Sequence, residues 1–463
     1  MPNITLDQTL ILLYFIATLV FGFYYQSNKD INSFLFAGRK LTIPALIATL
    51  VSTWYGGILE VGRFTYENGI VTWIIFGFFY YIAALLFVKF IAPKIIESNI
   101  PTIPELFHRS FGKWPALIAI VCVILMTTPA PYLKILADLF NHVWGIPKFT
   151  ALCLGTTLSL AYAFSGGFSA VVRTDKLQFI LMFTGFFVLL SSCYFEYGGI
   201  SFLISNTPGF AFAIPGNFNW TFIFVWGFIA LITFIDPGFY QRTFSGNSLD
   251  TVKKGIVISI LFWVIFDFMT VFTGLYALAV LPSINSSPYI DLAQLVLTPF
   301  SHGLFMVSLF AIVMSTVDSF SFISAFTIGK DLTAVLNYQQ DNIHILRYTR
   351  WGLAITALLS IIFATYFEHA MDIWYLAGSF VVPALLIPLI AVLYLVEVKN
   401  IFCLMIVPLI VSVSWYIYGK VHLLSDGYPG YIWGLDPMYP GVLVSMVLFL
   451  VFNRGMKSKI KGS

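Results

Sequence analysis

Residues 49–62 read TLVSTWYGGILEVG, and the fold turns on how this stretch is understood. It lies in an apolar run long enough to cross a bilayer, yet Gly56-Gly57 interrupts the run near its middle. In water, each glycine costs a helix about 1 kcal/mol. In lipid the stakes rise, because a broken helix leaves backbone carbonyls and amides with no water to satisfy them. Such a break survives only where something else fills the vacancy. Regular bonding would tie the Ser52 carbonyl to the Gly56 amide and the Tyr55 carbonyl to the Leu59 amide. Unwinding at the glycines releases both carbonyls to hold a cation, which makes the stretch one half of a candidate ion site.

The chain around it reads as a polytopic membrane protein. Of its 463 residues 59% are hydrophobic and only 10% charged, where a soluble protein has roughly 25% charged; mean hydropathy is +0.91. The net charge of +3 is spread between apolar runs, so no basic patch suits nucleic acid. Cys122, Cys153, Cys193 and Cys403 all fall in apolar runs without a CxxC or a nearby His, and read as packing residues. Asp7 stands where a signal peptide would be basic, so the first run is expected to be an uncleaved span.

At about 20 apolar residues per span, about thirteen spans are expected. They lie near 5–25, 42–62, 70–93, 114–141, 148–165, 168–194, 220–240, 255–281, 303–328, 346–366, 372–397, 401–419 and 439–453. With the N-terminus outside, every lysine and arginine except Arg63, Lys134, Lys148 and Lys420 falls on the cytoplasmic side, as the positive-inside rule requires. The expected placement is therefore a plasma or inner membrane, N-terminus out and C-terminus in. Spans two to six and seven to eleven then form two five-span units of opposite topology, the inverted repeat of secondary transporters. The divisions follow: 1–41, an extra N-terminal span and loop; 42–195, the first repeat; 196–397, the second; 398–463, two accessory spans and a basic tail. Pro129 and Pro131 are expected to kink the fourth span.

The other half of the ion site lies in the ninth span, Ile312-Val313-Met314-Ser315-Thr316-Val317-Asp318-Ser319. Ser315 and Ser319 share a helix face at i, i+4. A hard cation takes oxygen ligands, and hydroxyls with a carbonyl supply them. Ser and Thr in membrane helices also bond to neighbours at interfaces without any ion. Asp318 tilts the reading toward function, because an acid within a span usually lines a pathway.

Four segments carry a family resemblance. Ser165–Gln178, SGGFSAVVRTDKLQ, resembles the GG-x-x-AV-x-x-TD-x-x-Q signature of the sodium:solute symporter family. Met314-Ser315-Thr316-Val317-Asp318-Ser319 with Lys330-Asp331 resembles its MST-x-DS segment. Asp236-Pro237 before Gln241-Arg242-Thr243, and Phe36-Ala37-Gly38-Arg39 before the broken span, complete the set over about 34–332. The resemblance implies an all-α, LeuT-like 5+5 inverted-repeat core with broken helices. It implies a sodium site made by the carbonyls of Ser52, Tyr55 and Ile312 and the hydroxyls of Ser315 and Thr316. A second sodium would use Asp175 and Ser319, although one of the expected hydroxyl positions is Asp318; alternatively Asp175 is an interfacial acid paired with Arg173 or Lys176.

It further implies that Trp54, Gly57, Leu59 and Glu60 lie near the solute. Sugar-carrying relatives have Asn and Gln where this chain has Trp54 and Leu59, so the pocket is expected to be drier and to suit an amino acid or small carboxylate. A sugar would leave donors unpaired there. Glu60 and Arg63 either pair with each other or meet a charged solute. The expected function is sodium-coupled symport by a monomer or homodimer in the lipid bilayer, and not enzymatic, since no reactive cluster is present. Proton coupling through Asp175 and Asp318, or a transporter-like sensor, are the alternatives.

Overall fold

A computed structural model describes residues 5–23, 30–366, 370–395, 397–423 and 429–454. Lys29 and the tail residues Lys457, Lys459 and Lys461 lie outside the described residues. The structure is all-α as expected: among the described residues the only strand-like pairings are isolated bridges, Leu41 with Gly246 and Leu423 with Pro429.

The membrane-length elements are α1 (Leu6–Phe23), the pair α2 (Ile43–Ser52) and α3 (Ile58–Asn68), α4 (Val71–Ser98), α5 (Lys113–Trp144), α6 (Lys148–Tyr197), α7 (Trp220–Ser245) and α8 (Leu249–Val280). They continue with α9 (Pro299–Val335), α10 (Asn342–Tyr366), α11 (Ala370–Tyr394), α12 (Ile401–Val421) and the shorter α13 (Met438–Phe452). Ten helices among the described residues are long and apolar enough to cross a membrane, or eleven with α2 and α3 taken as one bent span. That is fewer than the count read from hydropathy. Two expected spans share α6, a single element of 50 residues, and α13 has only 15.

A straight α6 would measure about 75 Å, far beyond the ~30 Å of hydrocarbon it has to cross. It breaks at Gly167, whose φ of 58° and ψ of −151° are open to glycine and strained for any other residue. A Cβ there would also sit 2.4 Å from the Phe34 carbonyl oxygen. Two further interruptions shape the core. The proline kink appears in α5, which stops at Met126 and resumes at Ala130. In α7 the helix tightens over Ala230–Phe234 and restarts at Pro237. Asp236 caps that restart, its carboxylate accepting from the Phe239 amide at 2.7 Å.

α9 is the centre of the bundle. Every residue from Phe305 to Phe326 except Phe320 is buried, the polar Ser315, Thr316, Asp318 and Ser319 included, because helices pack on all of its sides. α1, α5, α6 and α10 surround it. At the α9 end, Lys330 pairs with Glu105 of the short helix Ile103–Phe111, and Thr102 donates to Asp331 at 3.0 Å. Burial opposes the charge on Glu105, but Lys330 and Arg109 more than offset it and hold the carboxyl below its ordinary range.

Gly167→Ala is expected to cost about 1–3 kcal/mol, the penalty for a forbidden backbone region. It should lower the unfolding midpoint in detergent micelles. Gly209→Ala, at an ordinary φ with open space around it, should leave the midpoint unchanged.

Candidate functional site

The interrupted stretch folds as a bend rather than an open gap. α2 ends at Ser52, Thr53–Tyr55 form a tight 3₁₀ turn, and α3 begins at Ile58 with its axis turned by 57°. Gly56 keeps right-handed helical angles, φ −53° and ψ −25°, while Gly57 leaves them at ψ 22°, and neither has a positive φ. They are required by space instead. A Cβ on Gly56 would lie 2.5 Å from Thr316 Cβ, and one on Gly57 would lie 1.8 Å from the Trp374 ring. The bend is thus pressed directly onto α9 and α11.

Where bend meets α9, the contacts are made by oxygen. Ser315 Oγ donates to Ser52 Oγ at 2.9 Å, or to Asp175 Oδ1 at 2.6 Å. Thr316 Oγ1 donates to the Thr53 carbonyl at 2.8 Å and lies 3.4 Å from the Ile312 carbonyl. Ser52, Ser315, Thr316 and Asp175 are fully buried. The structure therefore brings Ser52, Ile312, Ser315, Thr316 and Asp175 together. The carbonyl that α9 engages is that of Thr53, between the two expected at Ser52 and Tyr55. Tyr55 sends its side chain the other way, its hydroxyl donating to the Trp263 carbonyl at 3.1 Å on α8.

Asp175 is not an interfacial acid. Thr49 Oγ1 donates to its Oδ2, and Arg242 supplies the nearby positive charge. Arg173 donates instead to the carbonyls of Phe21 and Gly22. Arg242 is the residue whose burial charge counting did not reveal. Assigned to the cytoplasmic side, it is 2% exposed in the interior. Its Nη2 donates to Thr53 Oγ1 at 2.8 Å and to Thr49 Oγ1 and Ser319 Oγ, both at 3.0 Å. The reason is the restart of α7 at Pro237, which carries Arg242 back into the bundle instead of out into a loop. A buried cation survives there because hydroxyls and two carboxylates, Asp175 and Asp236, surround it.

Beside this layer lies a cavity of ≈170 Å³. Trp54 and Gly57 line it, as expected, whereas Leu59 and Glu60 do not. Val61 takes their place, one helical turn beyond Gly57, because α3 starts afresh after the tight turn and resets which face looks inward. Glu60 faces Arg63 at 2.8 Å, and Arg63 also reaches Glu67 at 3.0 Å. The walls are aromatic: Trp54 meets Tyr80 edge-on at 5.1 Å and Trp263 at 5.3 Å, and Phe76 meets Trp226 at 5.2 Å. Asp267 also lines the cavity. Sequence reasoning passed over it, although an acid within the eighth expected span is the same signal that singled out Asp318. Asp318 itself lies away from the cavity, fully buried, and accepts from the Tyr162 hydroxyl.

Known proteins share this design. The profile of the family described as SSF: Sodium:solute symporter family matches residues 34–400. The chain is 27% identical over 352 residues to the sodium/proline symporter of Haemophilus influenzae, covering 67% of each chain. It is 27% identical over 460 residues to the sodium/pantothenate symporter of Escherichia coli, covering 93% of this chain and 91% of that one. A solved Na+-coupled sialic acid symporter, bound to substrate and outward-open, superposes with a TM-score of 0.78 at 16% identity over 99% of both chains. That likeness establishes the LeuT-like helical fold. These relatives are symporters. The chain belongs to the sodium:solute symporter family.

Proposed function

We propose that this protein is a sodium-coupled symporter that imports a small organic solute by alternating access. The observation that carries the reading is the oxygen contact between the bend and α9, where Ser315 and Thr316 meet Ser52 and Thr53. Hydroxyls, a carbonyl and a carboxylate, with no nitrogen or sulfur among them, are the donors a hard cation takes. Sodium held by Ser315, Thr316 and the carbonyls of Ser52, Tyr55 and Ile312 ties α2 to α9 and shapes the outward-facing cavity. Inward rotation of one helix bundle against the other then releases ion and solute to the opposite side. A second sodium at Asp175 and Ser319 competes with Arg242, which already donates to Ser319, so one sodium per cycle is the favoured stoichiometry. The N-terminus is assigned outside and the C-terminus to the cytoplasm.

An amino acid or small carboxylate is favoured over a sugar. Proline and pantothenate, which the two relatives carry, each bear a carboxylate, and Arg242 borders the cavity. Proton coupling is the second reading, favoured by Asp318, whose Oδ1 has no hydrogen-bond partner among the described residues.

Three outcomes test this in proteoliposomes. Ser315→Ala and Thr316→Ala should each cut sodium-driven uptake by roughly tenfold or more, the scale of losing a hydrogen bond to a charged group. Thr316→Ser, which keeps the hydroxyl, should retain it. Sodium should raise solute affinity by the same factor that solute raises sodium affinity, as linkage demands. Equal solute binding in sodium and potassium, with uptake driven by a pH gradient alone, would transfer the coupling to Asp318.

A further inference from the structure

Asp267 is a carboxylate in the membrane interior with no counter-charge. It sits midway along α8, is 7% exposed and lines the cavity. Among the described residues no ion pair involves it. Arg242 lines the same cavity, but its charge acts on Asp175 and Asp236. An unpaired acid at this depth is costly and persists where function requires it.

The surroundings are built around that acid. The Tyr81 hydroxyl donates to Oδ2 and fixes the carboxylate. A Cβ on Gly77 would lie 2.8 Å from Asp267 Oδ2, 2.7 Å from the Tyr81 hydroxyl and 3.0 Å from the Trp73 ring. Glycine thus keeps open the corner where the three converge. Gly77 belongs to a widened five-residue turn, Ile74–Phe78, inserted into α4; such turns recur at functional sites. The rings of Trp73, Trp54 and Tyr80 enclose the cavity alongside, and aromatic faces attract cations as a carboxylate does.

We propose that the transported solute carries a positively charged nitrogen, a protonated amine or a quaternary ammonium, and that Asp267 is the counter-charge that receives it. The inference rests on the symport reading only in taking this cavity as the solute site, and it deepens that reading by choosing amine-bearing solutes over plain carboxylates. The solute completes an ion pair that the protein leaves half-made. A carboxylate or sugar would leave Asp267 unmatched, and a carboxylate would face it with like charge.

Matched probes test this on the purified full chain in sodium buffer. The pairs are glycine betaine with tert-butylacetate, L-phenylalanine with hydrocinnamate, and L-leucine with isocaproate; choline serves as a cation without a carboxylate. Binding is read by calorimetry, and the unfolding midpoint without probe reports folding. At least one nitrogen-bearing probe should bind roughly tenfold or more tightly than its isostere, since a pairing of opposite charges away from bulk water is at stake. Asp267→Asn should abolish that preference, and Asp267→Glu, which keeps the charge, should restore part of it. Tighter binding of the isosteres, undiminished preference in a folded Asp267→Asn, or no binding by any nitrogen-bearing probe overturns the proposal. Amine binding that depends on Asp267 but ignores sodium would sink the sodium reading and leave this one standing. Sodium-dependent binding confined to the carboxylates would do the reverse.

Discussion

The contact that the rest of the structure depends on is the one between a bent helix and the buried centre of another. Ser52 and Thr53 at the turn meet Ser315 and Thr316 on α9 through hydrogen bonds of 2.8–2.9 Å. Gly56 lets the backbones come that close. A bend in lipid has to satisfy its own polar groups, and here it does so by borrowing oxygens from α9. The arrangement is strong only while the two helices stay in register. It therefore suits a joint that is remade by a bound ion better than it suits a permanent strut.

Around this joint the interior separates into chemically distinct zones. On one side Arg242, Asp175 and the hydroxyls of Thr49, Thr53 and Ser319 form a charged network in which each member has a partner. On the other, largely aromatic walls enclose a cavity that Arg242 also borders, and Asp267 there accepts from Tyr81 without an ion pair among the described residues. The two zones share the turn at Thr53 and Trp54: both residues line the cavity, and Thr53 also accepts from Arg242. A change at the ion joint is thereby felt one residue away at the solute walls, which is a physical route for coupling that needs no long chain of contacts.

Much of this was legible in the residues. The glycine pair, the hydroxyls at Ser315 and Thr316 and the kink at Pro129 are local signals with a direct structural cost: the chain bends at the glycines, both hydroxyls pack against the bend, and α5 is interrupted before Ala130. What was not legible depends on geometry after a break. Leu59 and Glu60 follow Trp54 and Gly57 in sequence, but a 3₁₀ turn changes the angular phase, and Val61 faces inward instead. Arg242 looked like a boundary residue because charge near the end of an apolar run usually is one; only the restart at Pro237 returns it to the interior. Asp267 was visible in principle, and its importance emerges once Gly77, Tyr81 and Trp73 are seen to gather around it. The expected span count exceeded the ten or eleven membrane-length helices found among the described residues, because the spans read on either side of Gly167 form one element broken at that glycine and α13 has only 15 residues.

Arg242 has an electrical consequence. Moving one elementary charge through a membrane potential is worth about 2.3 kcal/mol per 100 mV. The guanidinium is covalently fixed in the bundle and faces Asp175 across the shared hydroxyl of Thr49. Opposite charges that travel as a couple feel almost no net force from the field. Voltage therefore does little work on this pair, and the charge that it can act on lies elsewhere, at groups such as Asp267 that have no ion pair among the described residues.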